Sequence, residues 1–201
     1  MKKIKLKRIL IYLAGLYILS FGIDLMIIAG KGTGAWDAIN VGLSKHFGLS
    51  IGTWAQIVGI ILIFIIAIIR KSRPEILPLL TMFLIGNFID LNLIWLIKIE
   101  LINDFYAYLT MGTGLILMSF GIALYLQAKF GFIPIDGFVM LIHEKSGWSL
   151  RMSKTSAELG ALVLAFLLGG TIGVGTILVT FLIGPMLQFF YKIMEKRLKY
   201  V

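Results

Sequence analysis

The 201-residue chain contains no cysteine, and only 14% of its residues are charged. Without a thiol, the sequence excludes disulfides, thiolate metal sites and cysteine nucleophiles. It has only two histidines, and no Ser/His/Asp constellation, metal-ligand cluster or phosphate-binding P-loop occurs in it. We therefore expect no enzyme activity, no cofactor and no metal.

Apolar sequence takes the place of these features. Hydrophobic residues make up 59% of the chain, and the mean hydropathy is +0.98, whereas soluble domains are about 45–50% apolar. Most of the long apolar runs approach the ~20 residues that cross a hydrocarbon core. They lie at residues 9–29, 51–69, 76–97, 107–128, 157–178 and 178–191. These runs predict an all-α polytopic membrane protein with six transmembrane helices and a tight connection at residues 169–175.

The net charge of +9 comes from basic clusters at membrane edges, and no continuous basic face suggests a nucleic-acid partner. Five basic residues lie within 1–8, three within 70–73 and four within 192–199. Because cytoplasmic loops carry excess Lys and Arg, both termini are predicted to be cytoplasmic. Alternating crossings place loops 70–74 and 129–154 on the same side as the termini.

The two halves of the chain repeat each other. Residues 15–50 and 114–149 share 12 identities over 36 positions, including "SFGI" after a common glycine and a common aspartate. With small register shifts, Gly59 matches Gly160, and "FLIG" recurs at 83–86 and 181–184. A single membrane domain over 1–201 is therefore predicted, made of repeat 1 at 8–97 and repeat 2 at 106–195.

Three spans in each repeat would make the two copies enter the membrane from opposite sides. Inverted repeats of this kind occur in many secondary transporters, in which discontinuous helices from both halves build a site near the midplane. We therefore expect the two loops after the first span of each repeat to have a common role.

Each of these loops predicts a short helix, at about residues 36–47 and 134–145. The first has an apolar stripe beside a polar one, which is typical of an interfacial helix. The second is apolar nearly all round except for Asp136, which indicates burial. About twelve residues cannot cross a bilayer, so the helices are either re-entrant or interfacial. Glycines before them, including Gly32 and Gly131, permit the chain to reverse.

The two short helices supply four candidate residues for binding a solute or ion. Asp37 and Asp136 occupy matching positions in the first helical turn, near the positive end of the helix dipole. They either neutralise that end or present a carboxylate to a ligand. Trp36 and Asn40 accompany Asp37 on the first short helix.

Ionisable residues inside spans are costly and are functional candidates by default. Asp24 lies within the first span and its copy is Ala123, whereas Asp90 corresponds to Gln188. Glu158 lies in the fifth span, four residues after Lys154. The alternatives are an interfacial position for Asp90, an ion pair of Lys154 with Glu158, and a paired structural carboxylate for Asp24.

The recurring features together resemble a known family. They are Ser-Phe-Gly at 20–22 and 119–121, the turns with Trp36-Asp37 and Pro134-Ile135-Asp136, and Gly-x-Ser at 48–50 and 147–149. Over nearly the whole chain they are similar to the bacterial YczE/YitT-type integral membrane proteins. The Pro-Trp-Asp-like loop of that family differs here at Ala35 and Ile135. The resemblance implies a bacterial or archaeal cytoplasmic membrane.

The function that the sequence favours is a small permease for a small solute, with alternating access about a site between the repeats. The alternatives are a non-transporting accessory or scaffold protein and the substrate-binding subunit of a multi-part importer. The expected partners are the lipid bilayer and the solute or ion. A homo-oligomer or a partner membrane protein is compatible with the sequence.

Overall fold

A computed structural model describes residues 2–130 and 133–197, and all regular structure in these ranges is helical. The eight helices are α1 (Lys2–Ala29), α2 (Ala35–Phe47), α3 (Ile51–Arg70), α4 (Ile76–Leu96), α5 (Asp104–Gln127), α6 (Pro134–Ser146), α7 (Leu150–Leu167) and α8 (Val174–Arg197). Gly131, one of the predicted turn glycines, lies outside the described residues, as do Met1 and Lys199 of the basic clusters. The all-helical class is confirmed.

Five of the described helices are long and apolar enough to cross a membrane, namely α1, α3, α4, α5 and α8. The fifth predicted span, at 157–178, was placed incorrectly, because the helix there is α7, which begins at Leu150 and ends at Leu167. Ser149 caps its start, and Gly169 ends it with a left-handed φ of 62°. α7 has 18 residues and includes Arg151, Lys154 and Glu158, so it is less apolar than the five spans.

α1 and α5 cross at the centre of the molecule, where the repeated motif lies. A Cβ at Gly15 would collide with Tyr125, and one at Gly114 would collide with Met26, the residue that corresponds to Tyr125. Gly22 and Gly121 also lie against the opposite backbone. Small residues allow membrane helices to approach closely. The duplicated glycines therefore form a central seam in which each helix makes the same contacts as the other.

The duplicated Gly-x-Ser sequence links each short helix to the next long one. Gly48 and Gly147 end α2 and α6 with left-handed φ angles of 77° and 70°. Two residues later, Ser50 and Ser149 accept hydrogen bonds from backbone N–H groups in the first turns of α3 and α7. A glycine at C′ and a serine N-cap are the expected chemistry for ending one helix and starting another.

Contacts between loops define two opposite faces of the molecule. On the first, Lys31 Nζ lies 2.6 Å from Asp104 Oδ1, and Lys45 Nζ donates a hydrogen bond to the carbonyl of Gly169 at 3.3 Å. We call this the Asp104 face. The hydrogen bond to Asp104 raises the pKa of Lys31. All of these residues belong to loops or helix ends that the sequence predicts on one side of the membrane.

The second face, which we call the Glu144 face, carries the ends of the other helices. Arg8 Nη2 donates to the carbonyl of Ala128 at 2.7 Å, and Arg70 pairs with both carboxylate oxygens of Glu144 at 2.7 and 3.0 Å. These segments are the ones that the sequence predicts on the side of the termini. The contacts agree with alternate crossings by the long helices.

The helix pair α3–α4 is tightly packed. A Cβ at Gly86 would lie 2.5 Å from the carbonyl oxygen of Gly52, and a Cβ at Gly59 would lie 2.7 Å from Met82 Cγ. The backbone N–H of Gly52 also donates a hydrogen bond to Asp90 Oδ1 at 2.8 Å. Three glycines and a capping carboxylate therefore hold these helices together.

The corresponding pair, α7–α8, is not packed in this way. In the part of the chain that the structure describes, α8 packs against α5 but scarcely against α7. A Cβ at Gly160 or at Gly184 would meet no atom within 4 Å, although these residues match Gly59 and Gly86. α8 is also buried over much less of its length than α4. The two copies of the repeat thus have different packing at the same helix pair.

Candidate functional site

The first turns of the two short helices meet inside the molecule. The ring centroids of Trp36 on α2 and Phe138 on α6 are 6.1 Å apart in an edge-to-face arrangement. α2 packs against α7 and α3, and α6 packs against α3 and α7, so each short helix contacts both repeats. Their first residues, Ala35 and Pro134, are buried, whereas their last residues, 45–47 and 144–146, are exposed. Lys45 near the end of α2 reaches the Asp104 face, while α6 ends at the Glu144 face.

This geometry places Glu158 within electrostatic reach of the two predicted carboxyl groups on the short helices. Glu158 on α7 is close enough for its charge to act on Asp37, and the charge of Asp136 acts on Glu158. Lys154 is the cation whose charge reaches both Asp136 and Glu158. The contact region of the two short helices with α7 therefore contains the carboxyl groups of Asp37, Asp136 and Glu158, which we call the central group.

The expected ion pair of Lys154 with Glu158 does not form in the structure. The ion pairs within 4.0 Å among the described residues are Lys31 with Asp104 and Arg70 with Glu144. Lys154 is exposed, whereas Glu158 is only partly accessible. The i, i+4 spacing places both residues on one face of α7 but does not require contact, because a long lysine side chain gains solvation by extending outward.

α2 also contributes polar atoms that lack a partner. Asn40 is only 6% exposed, and its Oδ1 accepts no hydrogen bond. The indole Nε1 of Trp36 is buried and donates none. Buried polar groups in native proteins are nearly always paired, so an exception calls for an explanation. A polar ligand at the first turns of the short helices would supply the missing partners.

Asp24 lies in the contact between α1 and α4, where the charge of Asp37 still reaches it. Its side chain is fully buried, and its Oδ2 accepts a hydrogen bond from Asn92 Nδ2 at 2.9 Å. Its other oxygen, Oδ1, has no partner. Asp24 is thus paired with a neutral amide, and no ion pair involves it among the described residues.

Asp90 has a different environment, in which both of its carboxylate oxygens are satisfied. Oδ2 accepts from the hydroxyl of Ser50 at 2.6 Å, and Oδ1 accepts from the N–H of Gly52. A carboxylate at a helix N-terminus is stabilised by the helix dipole. These contacts give Asp90 a structural role at the start of α3 and remove it from the central group.

A cavity of about 280 Å³ lies beside the first turn of α6. Its walls come from α3, the α3–α4 loop, the start of α4 and α6, and they include Arg70, Arg73, Pro134 and Gly137. None of the seven candidate residues lines it. Because Arg70 belongs to the Glu144 face, the cavity connects that face with the first turn of α6.

Sequence reasoning did not select Asn92, which the structure pairs with Asp24. The sequence did contain a signal for this pair. In the register that aligns residues 83–86 with 181–184, Asn92 matches Phe190, and Asp24 matches Ala123. Both members of the polar pair are therefore replaced by apolar residues in the second repeat. Only the register between α1 and α4 shows that the two substitutions occur at one contact.

The fold and the central polar group define the class of a multi-span α-helical membrane protein. Residues 6–192 match the model of DUF6198, described as a family of unknown function. The chain belongs to this family. The predicted resemblance to YczE-type membrane proteins is confirmed by the relatives below.

Two relatives come from Bacillus subtilis (strain 168). The chain is 39% identical over 186 residues to "Uncharacterized protein YyaS", a match that covers 92% of each chain. It is 38% identical over 180 residues to "Uncharacterized membrane protein YczE", which covers 89% of this chain and 82% of YczE. A third relative, from Haemophilus influenzae, is 30% identical over 190 residues, which are 94% of this chain and 86% of the relative. No solved structure matches the chain.

Proposed function

We propose that this protein is a small permease, not an enzyme, that moves a small solute by alternating access between two inverted repeats. The repeats are residues 8–97 and 106–195, with six spans in total, including α7. α2 and α6 are re-entrant half-helices in this proposal. The membrane is the prokaryotic cytoplasmic membrane, and the Glu144 face, with the basic clusters, is the cytoplasmic side.

Two observations support the inverted arrangement. The contacts across the α1–α5 seam are reciprocal, since Gly15 faces Tyr125 while Gly114 faces Met26, and each of these positions is the copy of another. The short helices also exchange neighbours, with α2 on α7 and α6 on α3. Reciprocal contact is expected where two copies of one unit meet about a two-fold axis.

The observation that carries the proposal is the unequal packing of the two equivalent helix pairs. α3–α4 is tightly packed at Gly59 and Gly86, whereas α7 and α8 are separated, and the matching Gly160 and Gly184 have no neighbour within 4 Å of a Cβ. In this proposal the two packings are two states that either helix pair can adopt. In an inverted pair, exchange of these states would open the central site to one side of the membrane and then to the other.

α8 has a local feature that suits such motion. Pro185 lies inside the helix directly after Gly184, and a proline removes the hydrogen bond to the carbonyl four residues earlier. Sharp bends in helices occur at such positions. The matching residue in the closed helix α4 is Asn87, which retains its N–H. α8 can therefore bend at Gly184 and Pro185 while its ends remain packed on α5.

The chemistry of the central group indicates the kind of solute. Asp37, Asp136 and Glu158 supply three carboxyl groups, whereas Lys154 supplies one cation. Asn40 Oδ1 adds an unpaired acceptor, and Trp36 adds an aromatic face and a donor. An excess of acceptors and carboxyls favours a small solute that carries a positive charge or amino groups.

The test is a ligand screen on purified protein by thermal unfolding, against inorganic cations, amino acids, vitamins and nucleobases. Asp37→Asn, Asp136→Asn and Glu158→Gln are compared with Asp104→Asn, a carboxyl on the Asp104 face outside the site. A ligand at 100 times its Kd stabilises the folded state by about 2.7 kcal/mol. We expect a compound that stabilises wild type and Asp104→Asn but not the three site variants. A hit that stabilises all five proteins equally would contradict the proposed site, and the absence of any hit would favour the non-transporting role.

A further inference from the structure

The pair formed by Asp24 and Asn92 has an uneven hydrogen-bond pattern. Asn92 Nδ2 donates to Asp24 Oδ2 at 2.9 Å, and this bond uses one atom of each side chain. The remaining oxygens, Asp24 Oδ1 and Asn92 Oδ1, are both buried and both without a partner. The exposures of the two residues are 0% and 1%, so neither oxygen is open to solvent. Two acceptors therefore remain, and no donor is available between them.

No ion pair compensates Asp24 in the part of the chain that the structure describes. The charges that act on it belong to Asp37 on α2 and Asp90 on α4, and both are acidic. The stretch of α5 that crosses this part of α1, residues 112–118, contains no ionisable side chain. An isolated buried carboxylate is very costly, and such a group lowers its free energy by taking up a proton or a cation.

The fold itself does not need the polar pair. α5 and α8 pack against each other as α1 and α4 do, yet the matching residues are Ala123 and Phe190. A helix pair of this geometry therefore forms with apolar side chains. Retaining a carboxyl and an amide in one repeat only makes this half chemically different from its copy.

We propose that Asp24 and Asn92 form a proton-binding site in which the carboxyl group of Asp24 is protonated and its Oδ1–H donates to Asn92 Oδ1. A single proton converts the two unpaired acceptors into a donor and an acceptor. The resulting cyclic acid–amide pair has both hydrogen bonds that its shape allows, and it needs no counter-ion. Release of the proton requires separation of α1 from α4, since the pair lies in their contact.

That the proton is carried together with the solute depends on the proposed function, whereas its binding does not. The experiment therefore measures protonation and uses no transported solute. Asp24→Asn is the matched variant, because an asparagine carries Nδ2–H where the acid carries Oδ1–H and forms the same two hydrogen bonds without a titratable proton. It is expected to fold and to leave the solute screen of the previous section usable.

The readout is the infrared difference spectrum between wild type and Asp24→Asn at pH 7, in choline chloride buffer. We expect the carbonyl stretch of a protonated carboxylic acid in wild type, absent from the variant, with a shift in deuterium oxide. Asn92→Leu, which removes the amide, should move this band to higher frequency. If Asp24→Asn fails to fold, the comparison of wild type with Asn92→Leu remains decisive.

Three results would overturn the proposal. The first is an absence of the acid band at pH 7, which would mean that the carboxyl is ionised. The second is a band of unchanged frequency in Asn92→Leu, which would mean that the amide does not pair with the acid. The third is loss of the band when choline is replaced by sodium, which would assign the site to a metal cation.

A pH series gives an independent readout. If a carboxyl group keeps its proton to a higher pH in the folded state than in the unfolded state, the free energy of unfolding falls as pH rises between the two pKa values. One such proton raises the unfolding equilibrium constant about tenfold per pH unit. Between pH 5 and pH 7, the unfolding equilibrium constant of wild type should therefore rise more steeply with pH than that of Asp24→Asn, by up to about tenfold per pH unit. Equal slopes would refute the assignment.

Discussion

Alanine at Gly86 and at Gly184 tests the unequal packing of the two repeats directly. The residues occupy matching positions, but a Cβ at Gly86 would lie 2.5 Å from the carbonyl of Gly52 and 2.6 Å from Gln56 Cγ. At Gly184 a Cβ would meet no atom within 4 Å. The same substitution should therefore have different consequences in the two copies.

The expected magnitudes follow from two opposing effects. Overpacking costs about 1–3 kcal/mol, and the upper half of this range applies because a backbone oxygen, not only a flexible side chain, is displaced. Alanine gains about 1 kcal/mol over glycine in a helix interior. Gly86→Ala should thus lose about 1–2 kcal/mol. Gly184→Ala meets no clash, and its propensity gain is reduced because the residue before a proline disfavours the helical region, so it should be near neutral.

The assay is thermal unfolding of the purified proteins at one detergent concentration. At about 2–4 °C per kcal/mol for a chain of this size, Gly86→Ala should lower Tm by about 2–8 °C, while Gly184→Ala should change it by less than about 2 °C. Equal losses in both variants would show that α8 is packed as closely as α4, and the argument from unequal packing would fail. An unchanged Gly86→Ala would refute the close contact of α3 with α4.

Further predictions concern the cap, the short helices and the topology. Asp90→Ala should destabilise the protein by about 1–3 kcal/mol, because the Ser50 hydroxyl and the Gly52 N–H lose the carboxylate that accepts their hydrogen bonds. Gln188→Ala, at the matching exposed position, should have little effect. Similar losses in both variants would contradict the capping role. A double-mutant cycle of Trp36→Leu and Phe138→Leu should give a coupling of about 0.5–1.5 kcal/mol from the edge-to-face rings, and additive losses would mean that the short helices do not meet. Because the chain has no native cysteine, Lys98→Cys should react in intact cells with an impermeant maleimide, while Lys71→Cys should react only after permeabilisation; the reverse pattern would invert the proposed orientation.

The sequence was sufficient for the features that depend on local pattern. Apolar runs predicted the long helices, and the repeated glycine motif lies at the α1–α5 seam because close backbone contact requires small residues. The loops with Asp37 and Asp136 contain short helices, as their periodicity indicated. Gly-x-Ser marks helix ends in both copies, because this residue order favours a left-handed C′ residue followed by an N-cap.

Features that depend on tertiary register could not be read from one sequence. The apolar run at residues 157–178 continues through Gly169 and Gly170, so hydropathy alone placed α7 incorrectly. The helix ends at Leu167, before the left-handed φ of Gly169. Asp90 was grouped with Asp24 because both lie in apolar runs, and only the structure separates a helix cap from an amide pair. The separation of α7 from α8 was not predictable, since Gly160 and Gly184 match Gly59 and Gly86 of the tightly packed pair α3–α4.

The most direct test of the central claim is thiol cross-linking of matched cysteine pairs in native membranes. Gly59→Cys with Met82→Cys reports on α3–α4, because a Cβ at residue 59 would lie 2.7 Å from Met82 Cγ, and Gly160→Cys with Thr180→Cys occupies the matching positions on α7–α8. A short bifunctional thiol reagent is added, and remaining free thiols are counted by a maleimide mass tag. The two pairs are placed in separate variants, and alternating access predicts that each pair becomes cross-linked within its own chain, because every chain visits both packings. Complete reaction of the first pair with none of the second, even on long incubation, would contradict the account and indicate one fixed packing.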